Sequence, residues 1–188
     1  KGFKERRNWM LGLDAELAVA QELDVLMLDG YRVFHDFPAE NFNIDHIVIG
    51  KNGVFAVETK GWPKPVSREA RDQWTIVYDG RHLAFPRHKE TAPIEQAKRQ
   101  AEWLAKWLAG AVGERTAVAP VLMLPGWYIE RVSSDGMPVL NGKNSRKIFP
   151  TLRGGAISEE HMRRIVFQVE AKCRDQKPQA YVEEKTRG

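Results

Sequence analysis

Three charged residues lie inside two apolar segments that should otherwise form a hydrophobic pair of β-strands. The segments are residues 44–49 and 54–62, and a turn rich in Gly and Asn separates them. Apolar, β-branched runs on either side of such a turn predict a β-hairpin. The charged residues are Asp45, Glu58 and Lys60, two carboxylates and one amine whose types and spacing could do chemistry.

Strand geometry places these three charges on one face of the hairpin. Side chains alternate between the two faces of a strand, so Glu58 and Lys60 point the same way. A turn centred on residues 51–52 puts Asp45 opposite Glu58, whereas a two-residue turn at residues 52–53 puts Asp45 opposite Lys60. Only a bulge of one residue would separate the charges. Both registers therefore predict one polar patch.

Two carboxylates that face each other on a half-buried strand are costly unless positive charge lies between them. Lys60 supplies one such charge, and a structural ion pair is the simplest interpretation. Glu16 lies along the apolar stripe of the preceding helix and adds a third acid if that helix packs on the hairpin. A divalent cation would neutralise the surplus, and Asp45, Glu58 and the backbone carbonyl of Thr59 are hard ligands suited to Mg²⁺ or Mn²⁺.

A metal ion held there would polarise a phosphodiester and lower the pKa of a bound water. Lys60 would orient that water, take part in proton transfer or stabilise the developing charge. Gln96, near the first turn of a later helix, would hold the water or the substrate backbone, although a glutamine in that position is usually only exposed. The sequence contains no His or Cys pair with the spacing of a zinc site.

Hydrophobic periodicity predicts the elements that position these residues. A first helix spans about residues 9–28, and its apolar stripe consists of Leu13, Leu17, Ala20 and Leu23. Residues 31–37 alternate like a strand. Residues 74–85 predict a second hairpin that turns at Asp79-Gly80, a dipeptide favoured in type I′ turns.

The second half of the chain adds two helices and a strand. Pro93 opens a helix that ends at Gly110 or Gly113. Residues 118–125 form a continuous apolar run, which is typical of a strand buried on both faces. Residues 126–156 have no firm assignment, and Ser158 caps a last helix. This order predicts a mixed α/β fold with helices on the faces of one sheet.

The composition is that of a globular protein with a full core, because 43% of the 188 residues are hydrophobic and 29% are charged. The net charge of +4 permits a polyanionic partner without requiring one. The single cysteine, Cys173, excludes an internal disulfide and suits a reducing compartment, so we expect a cytoplasmic protein. No apolar run is long enough to cross a bilayer, and the lysine at position 1 leaves a preceding segment open.

The motifs resemble those of the restriction-endonuclease-like nucleases, and more closely those of the nuclease-related domain, NERD. Asp45 followed by Glu58-Thr59-Lys60 is similar to the Asp…(Asp/Glu)-x-Lys signature of that superfamily. The resemblance covers roughly residues 10–125, with Ala92 in place of an asparagine that often precedes the proline. Further matching pieces follow in the expected order, namely Gly12-Leu13-Asp14-Ala15-Glu16, Gly61-Trp62, Trp74 and Pro93-Ile94-Glu95-Gln96.

The resemblance implies a mixed central β-sheet flanked by helices and a Mg²⁺-dependent nuclease site. It implies catalytic roles for Glu16, Asp45, Glu58, Lys60 and Gln96. We expect residues 1–125 to form the nuclease-related core domain and residues 126–188 to be a C-terminal extension packed on the same domain. The predicted function is metal-dependent hydrolysis of DNA phosphodiester bonds. The alternative is a non-catalytic nucleic-acid-binding or scaffold module that retains the site. An intermediate possibility is a nuclease that is active only inside a larger assembly.

Basic residues near the site in sequence are candidates to bind DNA phosphates, namely Arg68, Arg71, Arg87 and Lys89. A solvated basic surface is an equally good interpretation of them. Trp62 could stack on a base, although an aromatic residue just after a strand more often covers a sheet edge. Trp103 and Trp107 are most simply helix core or a partner surface. Pairing into a homodimer is a further expectation, because many nucleases that cut both strands combine two sites.

Overall fold

The computed structural model of the protein describes residues 2–63 and 74–175, and the side chains from residue 10 onward. Two 3₁₀ turns, Val25–Asp29 and Phe149–Thr151, accompany the α-helices, which are α1 (Gly2–Asp24), α2 (Ala92–Val112), α3 (Ser145–Ile148) and α4 (Glu159–Arg174). The strands are β1 (Arg32–Pro38), β2 (Asn43–Gly50), β3 (Gly53–Thr59), β4 (Thr75–Tyr78), β5 (Leu83–Ala84), β6 (Lys89–Glu90), β7 (Val118–Met123), β8 (Tyr128–Arg131) and β9 (Val139–Leu140).

The main sheet is mixed and has the strand order β1-β2-β3-β7-β9. The first three strands are antiparallel, whereas β7 runs parallel to both β3 and β9. A parallel pair requires a crossover, and α2 lies on the connection from β3 to β7. Apolar residues of α1 pack on one face of the sheet, and those of α2 and α4 pack on the other. The predicted mixed sheet flanked by helices is therefore confirmed.

The β2–β3 hairpin has the first of the two predicted registers. Gly50 pairs with Gly53, so the turn is centred on residues 51–52. The same register pairs His46 with Val57, and one step further along it Asp45 lies opposite Glu58. Nearly every residue of the two strands is buried, which explains why both read as continuous apolar runs.

The apolar stripe predicted for α1 is confirmed at Leu23 and wrong at Leu13 and Leu17, while Ala20 is half-buried. The buried side chains are Ala15, Val19 and Leu23, and the stripe continues into the 3₁₀ turn with Leu26. Leu13 and Leu17 are exposed to 42% and 54%, because the face that contains Val19 and Leu23 is the one that packs on the sheet. The helix also begins earlier than predicted, at Gly2.

A second, smaller sheet has the order β6-β5-β4-β8. The predicted second hairpin is present, but its turn is longer than expected, because Tyr78 pairs with Leu83 and leaves residues 79–82 as the loop. The Asp79 carboxylate accepts hydrogen bonds from the backbone N–H groups of Arg81 (2.8 Å) and His82 (2.7 Å). This local capping by the aspartate stabilises the longer loop in place of a two-residue type I′ turn.

Residues beyond 125 contribute to both sheets and to the core. β8 pairs with β4, β9 pairs with β7, and α4 packs against β1 and α2. Ser158 caps α4 as predicted and accepts a hydrogen bond from the N–H of His161 (3.1 Å). The position of the domain boundary at residue 125 stays a prediction.

The turn of the β2–β3 hairpin is held by this later part of the chain. The side-chain amide of Asn52 donates to the carbonyls of Phe149 (2.8 Å) and Leu152 (3.0 Å). A Cβ atom at Gly53, whose φ is +131°, would collide with the backbone of Gly154. Glycine is therefore required at this turn for both its conformation and its close approach.

Across the described ranges 2–63 and 74–175, the structure contains no helix that combines the length and the apolarity needed to cross a bilayer.

Candidate functional site

The polar patch predicted from the sequence lies where β2 begins and β3 ends. The backbone N–H of Thr59 donates to Asp45 Oδ2 at 2.7 Å, which fixes this carboxylate between the two strands. Lys60 Nζ lies 2.6 Å from Glu58 Oε1. The structure thus brings Asp45, Glu58 and Lys60 together on one side of the main sheet, as strand alternation predicts.

Glu58 is the most deeply buried member of the patch, with 1% of its surface exposed. Both of its carboxylate oxygens have protein partners. Oε1 pairs with Lys60, and Oε2 accepts a hydrogen bond of 2.7 Å from Gln100 Nε2 on α2. Charge-assisted hydrogen bonds of this length are among the stronger ones in proteins, so the orientation of Glu58 is well fixed.

The surroundings of Asp45 contain more negative than positive charge. Burial, first, and the neighbouring Glu58 carboxylate, second, raise the pKa of Asp45 to about 7. The hydrogen bond from Thr59 and the charge of Lys60 act in the opposite direction without cancelling the effect. Asp45 therefore takes up a proton much more readily near neutral pH than an ordinary aspartate, unless a further positive charge is bound.

Glu16 belongs to the same electrostatic cluster and approaches it from α1. Partial burial raises the pKa of Glu16 most, the charges of Asp36 and Glu58 raise it further, and Lys60 lowers it. α1 reaches this place because Gly61 allows a close approach, as a Cβ atom there would collide with the backbone carbonyl of Leu11. The helix that precedes the hairpin thus does bring its acid to the patch.

Asp36 is an acid of this cluster that sequence reasoning missed. It lies in β1, between the pairs His35 with His46 and Phe37 with Ile44, so the register places it opposite Asp45. Its φ of +50° is uncommon for a residue other than glycine and best tolerated by Asn and Asp. The signal that could have found it was a charged residue inside the alternating pattern of the predicted strand at residues 31–37.

The glutamine that contacts the patch is Gln100 rather than Gln96. Gln100 is only 4% exposed, and its Oε1 is buried without a hydrogen-bond partner among the described residues. Gln96 lies one helical turn earlier on the same face of α2, half-buried, and forms no hydrogen bond with the described part of the chain. A polar residue within the apolar stripe of α2 was the signal for Gln100.

The oxygen atoms of the patch are of the chemical type that hard divalent cations prefer. Among the described residues, no three His, Cys, Asp or Glu side chains gather closely enough to hold one ion. The predicted set of Asp45, Glu58 and the Thr59 carbonyl contains only two carboxylates. Each carboxylate oxygen has more than one lone pair, so their protein partners leave acceptor capacity. The raised pKa of Asp45 and the unpartnered Gln100 Oε1 both indicate a shortage of positive charge and of donors here.

Two of the four predicted phosphate-binding residues lie in the part of the chain that the structure describes. Arg68 and Arg71 lie outside the described residues. Arg87 and Lys89 are exposed, in the turn before β6 and in β6 itself. This turn is joined to the site through Phe85, whose ring centroid lies 4.8 Å from that of Trp62.

Trp62 packs between the two sheets. Its ring contacts Phe85, and its carbonyl accepts a hydrogen bond of 3.4 Å from Trp127 Nε1. Phe85 also contacts the ring of Trp127, with centroids 5.3 Å apart. These contacts favour the interpretation of Trp62 as a residue that covers a sheet edge over that of a base-stacking residue.

On the other side of β2, His46 is the inner end of a chain of polar contacts. Its Nδ1 lies 2.8 Å from His35 Nδ1, and His35 Nε2 lies 2.9 Å from Asp24 Oδ1. Burial, with the neighbouring His35 as the second cause, lowers the pKa of His46 to about 3. His46 is therefore neutral in the folded protein and connects α1, β1 and β2.

Comparison with known proteins identifies the family. The model of the nuclease-related domain family, NERD, matches residues 11–125, which is more than half of the chain. The chain shows no significant match to a curated protein or to a solved structure. The matched residues contain α1 from residue 11 onward, the β2–β3 hairpin, α2 and β7, and with them Glu16, Asp45, Glu58, Lys60 and Gln96. The chain therefore belongs to the nuclease-related domain family and has its restriction-endonuclease-like fold.

Proposed function

We propose that the protein is a metal-dependent nuclease that hydrolyses DNA phosphodiester bonds. The observation that carries this proposal is the convergence of Asp45, Glu58 and Lys60 at one end of the hairpin, in the part of the chain that matches a nuclease-related family. Asp45, Glu58 and the Thr59 carbonyl would hold Mg²⁺ or Mn²⁺. When bound, the ion supplies polarisation of the phosphodiester and a lower pKa for a bound water.

The surrounding side chains have separate roles in this proposal. Lys60 is one-third exposed and held by Glu58, so its ammonium can face both the attacking water and the phosphoryl oxygens, whose developing charge it stabilises. Glu16, whose pKa is raised by burial, is suited to proton transfer closer to neutral pH than an ordinary glutamate. Gln96, on the same face of α2 as Gln100, contacts the water or the substrate backbone.

The DNA backbone would be bound by cationic side chains beside the site. Arg87 and Lys89 are exposed on the small sheet and are free to contact phosphates. Arg68 and Arg71 are proposed in the same role from their sequence positions. We further propose a cytoplasmic location, because a single cysteine suits a reducing compartment, and pairing of two copies for cleavage of both strands.

A non-catalytic nucleic-acid-binding module is the second candidate function. It is favoured by one observation, namely that both oxygens of Glu58 already have protein partners in Lys60 and Gln100. A carboxylate satisfied by the protein in this way is also what a site without a metal ion would show.

Digestion of supercoiled, linear and single-stranded DNA with Mg²⁺ or Mn²⁺ tests the proposal, with Lys60→Ala as the control variant. If the protein is a metal-dependent nuclease, the wild type should cleave DNA, a chelator should abolish cleavage, and the variant should cleave at least 100-fold more slowly. Cleavage that Lys60→Ala leaves unchanged would reveal a contaminant or another site. Calorimetric titration of wild type and Glu58→Ala with Mn²⁺ separates the two functions, because no binding by the wild type contradicts the metal-dependent mechanism.

A further inference from the structure

A cluster of aromatic rings lies beside the polar patch, on the surface formed by α2 and the β1–β2 turn. The rings of Phe42 and Trp103 are 5.5 Å apart in an edge-to-face contact. Trp103 is also stacked with Trp107, with an interplanar angle of 8°, and Phe37 contacts both tryptophans. Phe37 is fully buried, whereas Phe42 is 38% exposed and Trp103 is half-buried. The outer part of this cluster is therefore open to solvent.

The exposed rings are close to the candidate site through both elements that carry them. Phe42 immediately precedes β2 and lies three residues before Asp45, about 10 Å along the strand. Trp103 lies three residues after Gln100, which is hydrogen-bonded to Glu58, and so one turn along α2. The turn that presents Phe42 is fixed by a hydrogen bond from the N–H of Ala39 to the Phe42 carbonyl (2.9 Å).

Cations flank Trp103 on the same stripe of α2. Arg99 and Lys106 are exposed and lie four residues before and three residues after it, which places all three side chains on one helix face. Among the described residues, neither cation forms an ion pair. Glu102 is exposed at the edge of this stripe and leaves it with a net positive charge.

We infer that Phe42 and Trp103 form a base-stacking platform that binds single-stranded DNA next to the candidate site. Aromatic faces beside backbone-binding cations are the usual means of binding single strands without sequence preference. A base in a duplex is already stacked and paired, so only an unpaired base can lie on Phe42. This inference rests on the proposed function and names its substrate as single-stranded DNA.

Binding without cleavage tests the platform separately from the nuclease activity. Fluorescence anisotropy of labelled oligo(dT) and of a duplex of equal length is measured with the full chain in the presence of a chelator. The wild type is expected to bind the single strand more tightly than the duplex. Phe42→Ala and Phe42→Leu are expected to weaken single-strand binding by about 5- to 30-fold, because they remove one stacking partner.

Phe167→Ala is the matched control, because Phe167 is a 65% exposed phenylalanine on α4, beside the opposite end of the hairpin. It should leave oligo(dT) affinity unchanged. Trp103→Phe retains a ring and should lose less affinity than Trp103→Leu. Equal binding by wild type and Phe42→Ala, or tighter binding of the duplex, would overturn the inference even if the protein cleaves DNA. Platform-dependent binding without any metal-dependent cleavage would support the inference and contradict the nuclease.

Discussion

Gln100 Nε2 lies 2.7 Å from Glu58 Oε2, and this hydrogen bond ties the middle of α2 to the end of β3. Both side chains are almost fully buried. A buried carboxylate oxygen that loses its donor retains the full cost of its desolvation. The contact therefore fixes the Glu58 carboxylate and at the same time makes the stability of the fold depend on one glutamine.

Gln100→Leu should lower the free energy of unfolding by about 1–3 kcal/mol, because Glu58 Oε2 is left buried without its donor. Urea denaturation monitored by circular dichroism measures the change. Gln96→Leu is the matched control one turn away, and it should change stability by less than about 0.5 kcal/mol. In the proposed mechanism Gln96→Leu lowers cleavage without unfolding the protein. Equal losses of stability in the two variants would contradict the assignment of Gln100 as the support of Glu58.

Asp45→Asn should stabilise the protein at pH 8 in the absence of divalent metal. The folded-state pKa of Asp45, about 7, lies above its ordinary value of 3.8, so stability falls as pH rises through this window and the full cost remains above it. Asparagine retains an acceptor for the Thr59 N–H and removes the charge. We expect a gain on the order of 4 kcal/mol at pH 8 that becomes small towards pH 4.

Thermal unfolding in EDTA at pH 4, 6 and 8 measures this difference. Added Mn²⁺ should raise the melting temperature of the wild type at pH 8 and leave that of Asp45→Asn unchanged, because a bound cation stabilises only the folded state that can hold it. A variant that is less stable than the wild type at pH 8 in EDTA would contradict the raised pKa of Asp45.

His46→Phe should remove the loss of stability in acid that this histidine causes. The folded-state pKa of His46 is lowered to about 3 from 6.5, so the unfolded chain takes up the proton first and stability is lost as pH falls below 6.5. This histidine costs about 2 kcal/mol at pH 5 relative to pH 7. The variant should therefore be more stable at pH 5 than at pH 7, because the loss of stability that Asp45 causes as pH rises is no longer offset by His46. Since Asp45 acts with the opposite sign in the same pH range, the wild-type profile alone shows only their difference.

Asp36→Asn should lower the pKa of Glu16. The negative charge of Asp36 is one cause of the raised pKa, after burial, and asparagine tolerates the φ of +50° at this position. The pKa should remain above 4.5, because burial and Glu58 still act on it. NMR titration of carbon-13-labelled glutamate carboxyls measures the shift. Asp14→Asn, on an exposed position of α1, is the control that should leave Glu16 unaffected.

Local patterns were sufficient for the hairpin and for the presence of the patch. The apolar strands and the Gly/Asn turn define β2 and β3, and side-chain alternation then places Asp45 and Glu58 on one side whichever register is used. The register itself was left between two alternatives, because the turn is selected by contacts with Gly154 and Phe149 that lie about a hundred residues away. Such contacts have no local signal.

Two features were predicted wrongly or missed, because they depend on which helix face packs against the sheet. Leu13 and Leu17 have the spacing of a buried stripe, yet the sheet covers the neighbouring face that contains Val19. Gln96 stands in a recognisable motif, whereas the glutamine that reaches Glu58 lies one turn further along α2. Helix periodicity predicts which face of a helix is buried, but it does not predict which turn of that face contacts a given partner residue.

The hairpin turn is held by the hydrogen bonds of Asn52 and by the close approach of Gly53 to Gly154. The family match ends at residue 125, whereas the segment whose backbone contacts the hairpin turn lies at residues 149–157. During synthesis on the ribosome, Asp45 and Glu58 emerge long before the segment that holds their hairpin turn. A chain released at residue 125 would also leave β7 as an uncovered edge. The part of the chain that matches the family is therefore shorter than the part that holds the hairpin turn in place.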